Sequence, residues 1–246
     1  PVGGLAIAMQ LTLFTNGLCP YAQRVGLAIN WKGLPHEVIE IDLSNKPSWM
    51  RSRLGTTLVP AIELDCKPYS ESLDICWLLD EKCASADGCP TLVPSDSSLR
   101  KELERLLSFA PTLERAGWSL LGGAWSFSTG AATERSIHEW ENAVATLTSS
   151  ISAHEGPFLL GPMPTLADCA LAPFIARFEL AALRCRSYDA RSSSRGLASY
   201  LEALEATDAW AATFPDRKMF GDAIAKYKSL DYFDHRTASL RNPLPA

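Results

Sequence analysis

The sequence predicts a small mixed α/β domain followed by an all-helical domain. Three observations predict it. Residues 11–82 alternate short apolar strands with helical segments. Residues 83–98 are mostly small and polar, with Gly88, Pro90 and Pro94 among them, and from Leu99 onward helical periodicity runs without a convincing strand. The boundaries expected are 8–82 for the α/β domain, 83–98 for a linker, 99–232 for the helical domain and 233–246 for a loosely held tail.

The first strand is read over Gln10 to Phe14, followed by a turn at Thr15-Asn16-Gly17 and a helix from Pro20 to Trp31 that opens with proline at its first position. Glu37 to Ile41 follows as a strand, and Ser48-Trp49-Met50-Arg51 forms a short helix or loop. Pro60 precedes a strand at Ala61–Leu64, and Lys67-Pro68-Tyr69 makes a further strand after a turn at Asp65-Cys66. Glu71 to Glu81 is then helical: Leu73, Cys76 and Trp77 keep the spacing of a buried face, and Asp80 is expected to end that series. In the second half, helices are expected over Leu99 to Trp118, Thr133 to His154, Leu166 to Leu183, Leu197 to Ala206 and Phe220 to Ser229. The clearest start signal is Thr165-Leu166-Ala167-Asp168, a capping box with Asp in place of Glu, so Asp168 reads as a structural cap. The run after it is almost wholly apolar, which assigns this helix to the centre of its domain.

Of the 246 residues, 47% are hydrophobic and 21% charged, ordinary values for a globular chain. A net charge of -5 argues against nucleic-acid binding, which needs a concentrated basic face. No apolar run approaches the roughly 20 residues that span a bilayer. The opening Pro1 to Ala8 is short and lacks a basic n-region, so no secretory leader is expected, and an organelle address stays open. Seven cysteines show no paired zinc-type spacing, so no metal is expected and a reducing compartment is the simplest setting.

Cys19-Pro20-Tyr21-Ala22 carries the chemistry. Cys19 falls at the N-cap of the first helix, where free amides and the helix dipole favour thiolate over thiol. Ala22 stands where a dithiol protein would place its second cysteine, so an external thiol must resolve an oxidised Cys19. This points to glutathione.

The chain resembles the cysteine-type glutathione transferases, the lambda and omega classes, through Cys19 to Val25, Asp42 to Trp49, Leu58-Val59-Pro60-Ala61, Glu71 to Asp74, Phe158 to Gly161 and Thr165 to Phe178. The resemblance implies a thioredoxin-like first domain and a helical bundle after it. It makes the Val59-Pro60 bond cis, with the Val59 backbone facing the cysteinyl part of glutathione, and makes Cys19 the nucleophile. Glu71 and Ser72 would hold the γ-glutamyl end, through charge for the ammonium and through hydroxyl, amide and dipole for the carboxylate. The alternative reading of Ser72 is a plain helix cap. Lys46 resembles the lysine that reaches the glycyl end, and Tyr21 the aromatic beside the sulfur. Trp118 and Trp125, flanking a Gly-rich aromatic stretch, either offer stacking surface to a flat substrate or simply pack a helix–helix connection.

The function expected is a glutathione-dependent thioltransferase or reductase, covering deglutathionylation and dehydroascorbate reduction. It would run through a mixed disulfide between Cys19 and glutathione. The alternatives are a conjugating transferase, a glutathione lyase, or a non-catalytic glutathione-binding protein. Glutathione is the co-substrate, and the partner is a small aromatic, electrophilic or glutathionylated molecule. The chain is expected to be cytoplasmic, with a plastid or other organelle left open, and either monomer or homodimer.

Overall fold

The computed structural model describes residues 9–43, 45–83, 89–122, 130–215, 217–218 and 220–221. A sheet with strand order β2-β1-β3-β4 opens the chain, built from β1 (Leu11–Thr15), β2 (Glu37–Glu40), β3 (Ala61–Leu64) and β4 (Lys67–Ser70). β2 runs parallel to β1, while β3 and β4 are antiparallel additions. Helices α1 (Pro20–Trp31), α2 (Met50–Leu54) and α3 (Ser72–Cys83) complete this part. The α/β expectation holds closely. Pro20 starts α1 with its missing N–H at a position that has no helical partner anyway.

Register brings the candidate residues to one end of the sheet. Phe14 pairs with Ala61, and Ala61 pairs with Ser70, so the end of β1, the start of β3 and the end of β4 lie side by side. Val59-Pro60 and Glu71-Ser72 therefore flank the turn that carries Cys19. Because β2 is parallel to β1, the loop holding Lys46 leaves from the same end.

The second part consists of α4 (Ser97–Leu121), α5 (Glu134–Ala153), α6 (Leu166–Arg186), α7 (Ala190–Ser193), α8 (Arg195–Glu205) and α9 (Asp208–Thr213). α4 starts on Asp96, whose carboxylate accepts from the amides of Ser98 and Leu99 at 2.9 Å each. α6 is buried almost throughout, as its composition predicts. Its capping box forms, and Asp168, fully buried, accepts from the Thr165 and Leu159 amides and from the Tyr200 hydroxyl. Asp168 is thus a structural anchor. The short helices α7 and α9 were not predicted, being too brief for periodicity to reveal. Of the helix expected over Phe220 to Ser229, all but its first two residues lie outside the described residues, as does the tail.

One finding alters the packing expected. Asp80 does not leave the core: it is 5% exposed and pairs with Lys32 at 2.8 Å, with a lysine side chain that is fully buried. The larger of the two apolar clusters draws on both halves of the chain. Leu27 and Ile29 of α1, Ile75 and Leu79 of α3, and Phe174 and Phe178 of α6 belong to one apolar cluster. α4 and α6 approach closely at Gly117, where an added Cβ would fall 2.2 Å from the Phe178 ring. No described helix is long and apolar enough to cross a membrane.

Candidate functional site

Cys19 is the N-cap of α1, as the sequence predicts. Its turn is held from several sides. The Cys19 amide donates to Asn16 O at 3.0 Å, the Asn16 side chain donates to Ile41 O at 3.1 Å, and the Gly17 amide donates to Glu40 Oε1 at 2.9 Å. From α6, Arg177, 1% exposed, donates to Leu18 O at 3.0 Å, to Gly17 O at 3.2 Å and to the Gln23 side chain. Sequence reasoning missed Arg177. The available signal was an arginine directly after the apolar run 169–176 of α6, at a position that must find buried acceptors.

The sulfur sits in a second apolar cluster with Phe14, Ala22, Ile41, Leu43, Met50, Leu54, Val59 and Ala61, and Trp49 packs on its edge. The Cys19 thiol contacts Val59 O at 3.9 Å. The Val59-Pro60 bond is cis, as the resemblance implied. The amides of Ala22 and Tyr21 face the sulfur, and the charges of Arg177 and Arg24 also favour thiolate. Burial outweighs all four: Cys19 is 1% exposed, and its pKa is raised rather than lowered. The expected lowering of the Cys19 pKa is therefore corrected. The helix terminus acts in the predicted direction, but the apolar cover is the larger effect.

Beside the sulfur, Tyr21 is only partly buried. Its hydroxyl donates to Glu114 Oε2 at 3.4 Å and its ring stands edge-on to Phe174 at 4.9 Å. Burial foremost, with Glu114 next, pushes its phenol up to about 12. Arg24 donates to Glu114 Oε1 at 3.0 Å and lies over the Phe174 ring at 4.6 Å. Glu114 itself is raised by burial, against the pull of Arg24. Tyr21 thus faces the helical half, and Arg24 and Glu114 are site neighbours that the sequence reading did not name.

At the other flank, Glu71 is exposed with φ of 69°, a left-handed conformation uncommon for a residue with a Cβ. Such a conformation persists only where its surroundings impose it, and it clusters at functional sites. Ser72 is 8% exposed and begins α3. Lys46 is half-buried in the loop after β2.

Trp118 does not belong to an open pocket. It is 7% exposed, with its ring edge-on to Phe178 at 5.2 Å inside the helical core. The bare backbone at Gly117 lets the Phe178 ring lie against α4, and the neighbouring tryptophan packs on it. The duller of the two sequence readings is the correct one for Trp118. Trp125 lies outside the described residues. Among the described residues no group of three or more potential ligands could hold a metal ion.

Comparison with known proteins matches this architecture. Residues 18–82 match the family model "Glutathione S-transferase, N-terminal domain", and residues 99–203 match "Glutathione S-transferase, C-terminal domain". Glutathione S-transferase L3 of Arabidopsis thaliana is 30% identical over 217 residues, covering 87% of this chain and 86% of the relative. Glutathione S-transferase DHAR2 of the same plant is 27% identical, covering 80% of this chain and 84% of the relative. The solved structure of rice GST1 in complex with glutathione shares the fold, with a TM-score of 0.75 at 22% identity over 91% of this chain and 98% of that one. With both family domains matched in order around the sheet end that gathers Cys19, Val59-Pro60 and Glu71-Ser72, the chain belongs to the glutathione S-transferase family.

Proposed function

We propose that this protein is a glutathione-dependent thioltransferase and reductase in which Cys19 is the nucleophile. The observation that carries the reading is the placement of the Cys19 sulfur at the start of α1, faced by the Tyr21 and Ala22 amides and 3.9 Å from Val59 O, with alanine at the resolving position. The likeness to relatives named glutathione S-transferase L3 and glutathione S-transferase DHAR2 supports a glutathione-dependent activity.

In the proposed cycle the Cys19 thiolate attacks the glutathione sulfur of a mixed disulfide. The substrate sulfur leaves as a thiolate and takes up a proton, and a Cys19–glutathione disulfide remains. A second glutathione thiolate attacks that bond, releasing glutathione disulfide and restoring Cys19. Because burial holds the free thiol protonated, the apolar cluster around Cys19 must open as glutathione enters. The Ala22 and Tyr21 amides and the nearby arginine charges then act on the sulfur without the opposing desolvation. Val59 would meet the cysteinyl backbone, Pro60 would hold that edge, Glu71 and Ser72 would take the γ-glutamyl end, and Lys46 the glycyl carboxylate. Tyr21 would border the acceptor. A reducing compartment that contains glutathione, cytoplasm or plastid, suits this cycle.

Replacing Cys19 with Ser and assaying reduction of a glutathione mixed disulfide tests the reading. Activity should fall to background; retained turnover would remove Cys19 as the nucleophile. A second reading has an observation of its own. The burial of Cys19 suits a conjugating transferase or lyase in which this thiol is a bystander. Faster turnover of an aryl halide than of a mixed disulfide, unaffected by Cys19→Ser, would favour it.

A further inference from the structure

Arg177 belongs to α6 in the helical half, yet its guanidinium is turned to the loop ahead of Cys19. Nε donates to Leu18 O at 3.0 Å and Nη2 to Gly17 O at 3.2 Å. Nη1 donates to Pro173 O at 3.0 Å and to the Gln23 side chain on α1. A planar fork laid on two successive carbonyls fixes the tilt of the peptide between them as well as its distance. Behind the fork, the rings of Phe214 and Phe220 lie 5.0 and 5.5 Å from the guanidinium carbon. Gln23 Nε2 in turn donates to Thr213 Oγ1 at 3.4 Å, so residues 213–220 back both the arginine and its partner on α1.

We propose that Arg177 is a positioning residue for thiol transfer, a role that rests on Cys19 being the nucleophile: its fork on Gly17 O and Leu18 O keeps the first amides of α1 aimed at the sulfur. Leu18 O belongs to the peptide whose nitrogen is the Cys19 amide, and that amide donates to Asn16 O at 3.0 Å. Turn and helix start therefore move as one unit. Gly17 is held from two directions, through its amide by Glu40 of β2 at 2.9 Å and through its carbonyl by α6. Without the hold from α6, the turn keeps only its anchors in the sheet half. The sulfur then drifts from Val59 O, now 3.9 Å away, and from the amides of α1. A displacement of about 1 Å at a reacting atom is enough to cost a large part of the rate.

Geometry and charge can be told apart here. Lysine brings the same charge as arginine but concentrates it on one ammonium, which cannot lay a planar fork across both carbonyls. A residue acting by its field alone is replaced well by lysine, and a residue acting by its fork is not. The groups proposed to bind glutathione, Lys46, Val59, Glu71 and Ser72, lie on segments that Arg177 does not hold. Loss of the fork therefore falls on the chemical step, with binding left nearly as it was.

The test measures steady-state reduction of a glutathione mixed disulfide by the full-length protein, by Arg177→Met and by Arg177→Lys, with rates taken per folded molecule from circular dichroism. In both variants kcat should fall about 10- to 100-fold, while KM for the mixed disulfide stays within about threefold. The pH at which kcat reaches half its plateau should rise in Arg177→Met and stay at the parent value in Arg177→Lys, which keeps the charge. Phe214→Ala removes backing but leaves the fork, so it should lower kcat in the same direction by less; it and Arg177→Lys decide the matter if Arg177→Met does not fold. A kcat within about threefold of the parent in Arg177→Met overturns the proposal. So does full recovery of kcat in Arg177→Lys, or a loss carried wholly by KM. Cys19→Ser, assayed alongside, separates the two readings. Turnover retained there removes Cys19 as nucleophile, whereas background turnover there with a parental kcat in Arg177→Met removes only the role of Arg177.

Discussion

Asp80→Ala is expected to be among the more damaging single changes away from the candidate site. Asp80 accepts from Lys32 Nζ at 2.8 Å, the Leu92 amide at 2.8 Å, the Val93 amide at 3.2 Å and the Thr91 hydroxyl at 3.3 Å. Removing the carboxylate leaves an ammonium on a fully buried side chain with Pro90 O still accepting from it, and strips two backbone donors of their acceptor. Breaking a buried pair from one side costs about 3–5 kcal/mol, because the partner charge stays desolvated. Lys32→Met removes the charge itself and leaves the carboxylate three other donors, so its cost should be about 1–3 kcal/mol. The double variant should fall short of the sum by more than about 1 kcal/mol, since the residues share the interaction. Urea unfolding of the four proteins reads these differences, and Asp80→Ala should melt roughly 6–20 °C lower. The reasoning is refuted if Asp80→Ala lies within about 1 kcal/mol of the parent, or if Lys32→Met is the costlier of the two.

Three further outcomes are expected. Burial pushes Cys76 up to about 12 and raises Cys19 and Cys169, whereas an unfolded thiol titrates near about 8.5, so the native state holds more protons between those values. That stabilisation is complete below about pH 8.5 and is lost as pH rises toward 12; urea midpoints should fall across this range, and less steeply in Cys76→Ala. Gly117→Ala puts a methyl carbon 2.2 Å from the Phe178 ring and should cost about 1–3 kcal/mol, with partial recovery in the Gly117→Ala, Phe178→Leu double variant, measured by denaturation. Tyr21→Phe deletes the bond to Glu114 and should cost about 0.5–1.5 kcal/mol while leaving mixed-disulfide reduction within a few-fold of the parent, because the phenol is not the reacting group; a collapse of turnover at unchanged stability would assign Tyr21 a direct part.

Much of the architecture was legible because it is locally encoded. Proline at the first helical position fixes the start of α1, and Thr165 with Asp168 fixes the start of α6. Alternation and turns delimit β3 and β4. The location of Cys19 at a helix start was legible for the same reason. Its protonation was not: the burial comes from an apolar cluster that includes Met50, Val59 and Leu43, which only the folded chain gathers around Cys19. Asp80 and Lys32 lie 48 positions apart, and a charged residue at the edge of a helical stripe reads as solvated unless that distant partner is known. Trp118 misled by composition, since an aromatic beside a Gly-rich stretch suggests a binding surface when it in fact packs on a phenylalanine from another helix. Arg177 and Glu114 reach the site across more than 90 positions, and no local pattern announces them.

The first helix is shared property. Its residues line an apolar interior that continues without a break into α6, so the stretch between Cys83 and Ser97 separates two family modules in sequence but not two autonomous bodies. Severed there, each fragment would present an oily face to water, and the sheet fragment would also lose the arginine that clasps the turn ahead of Cys19. The Cys19 sulfur is thus held in place partly by the half of the chain that does not contain it.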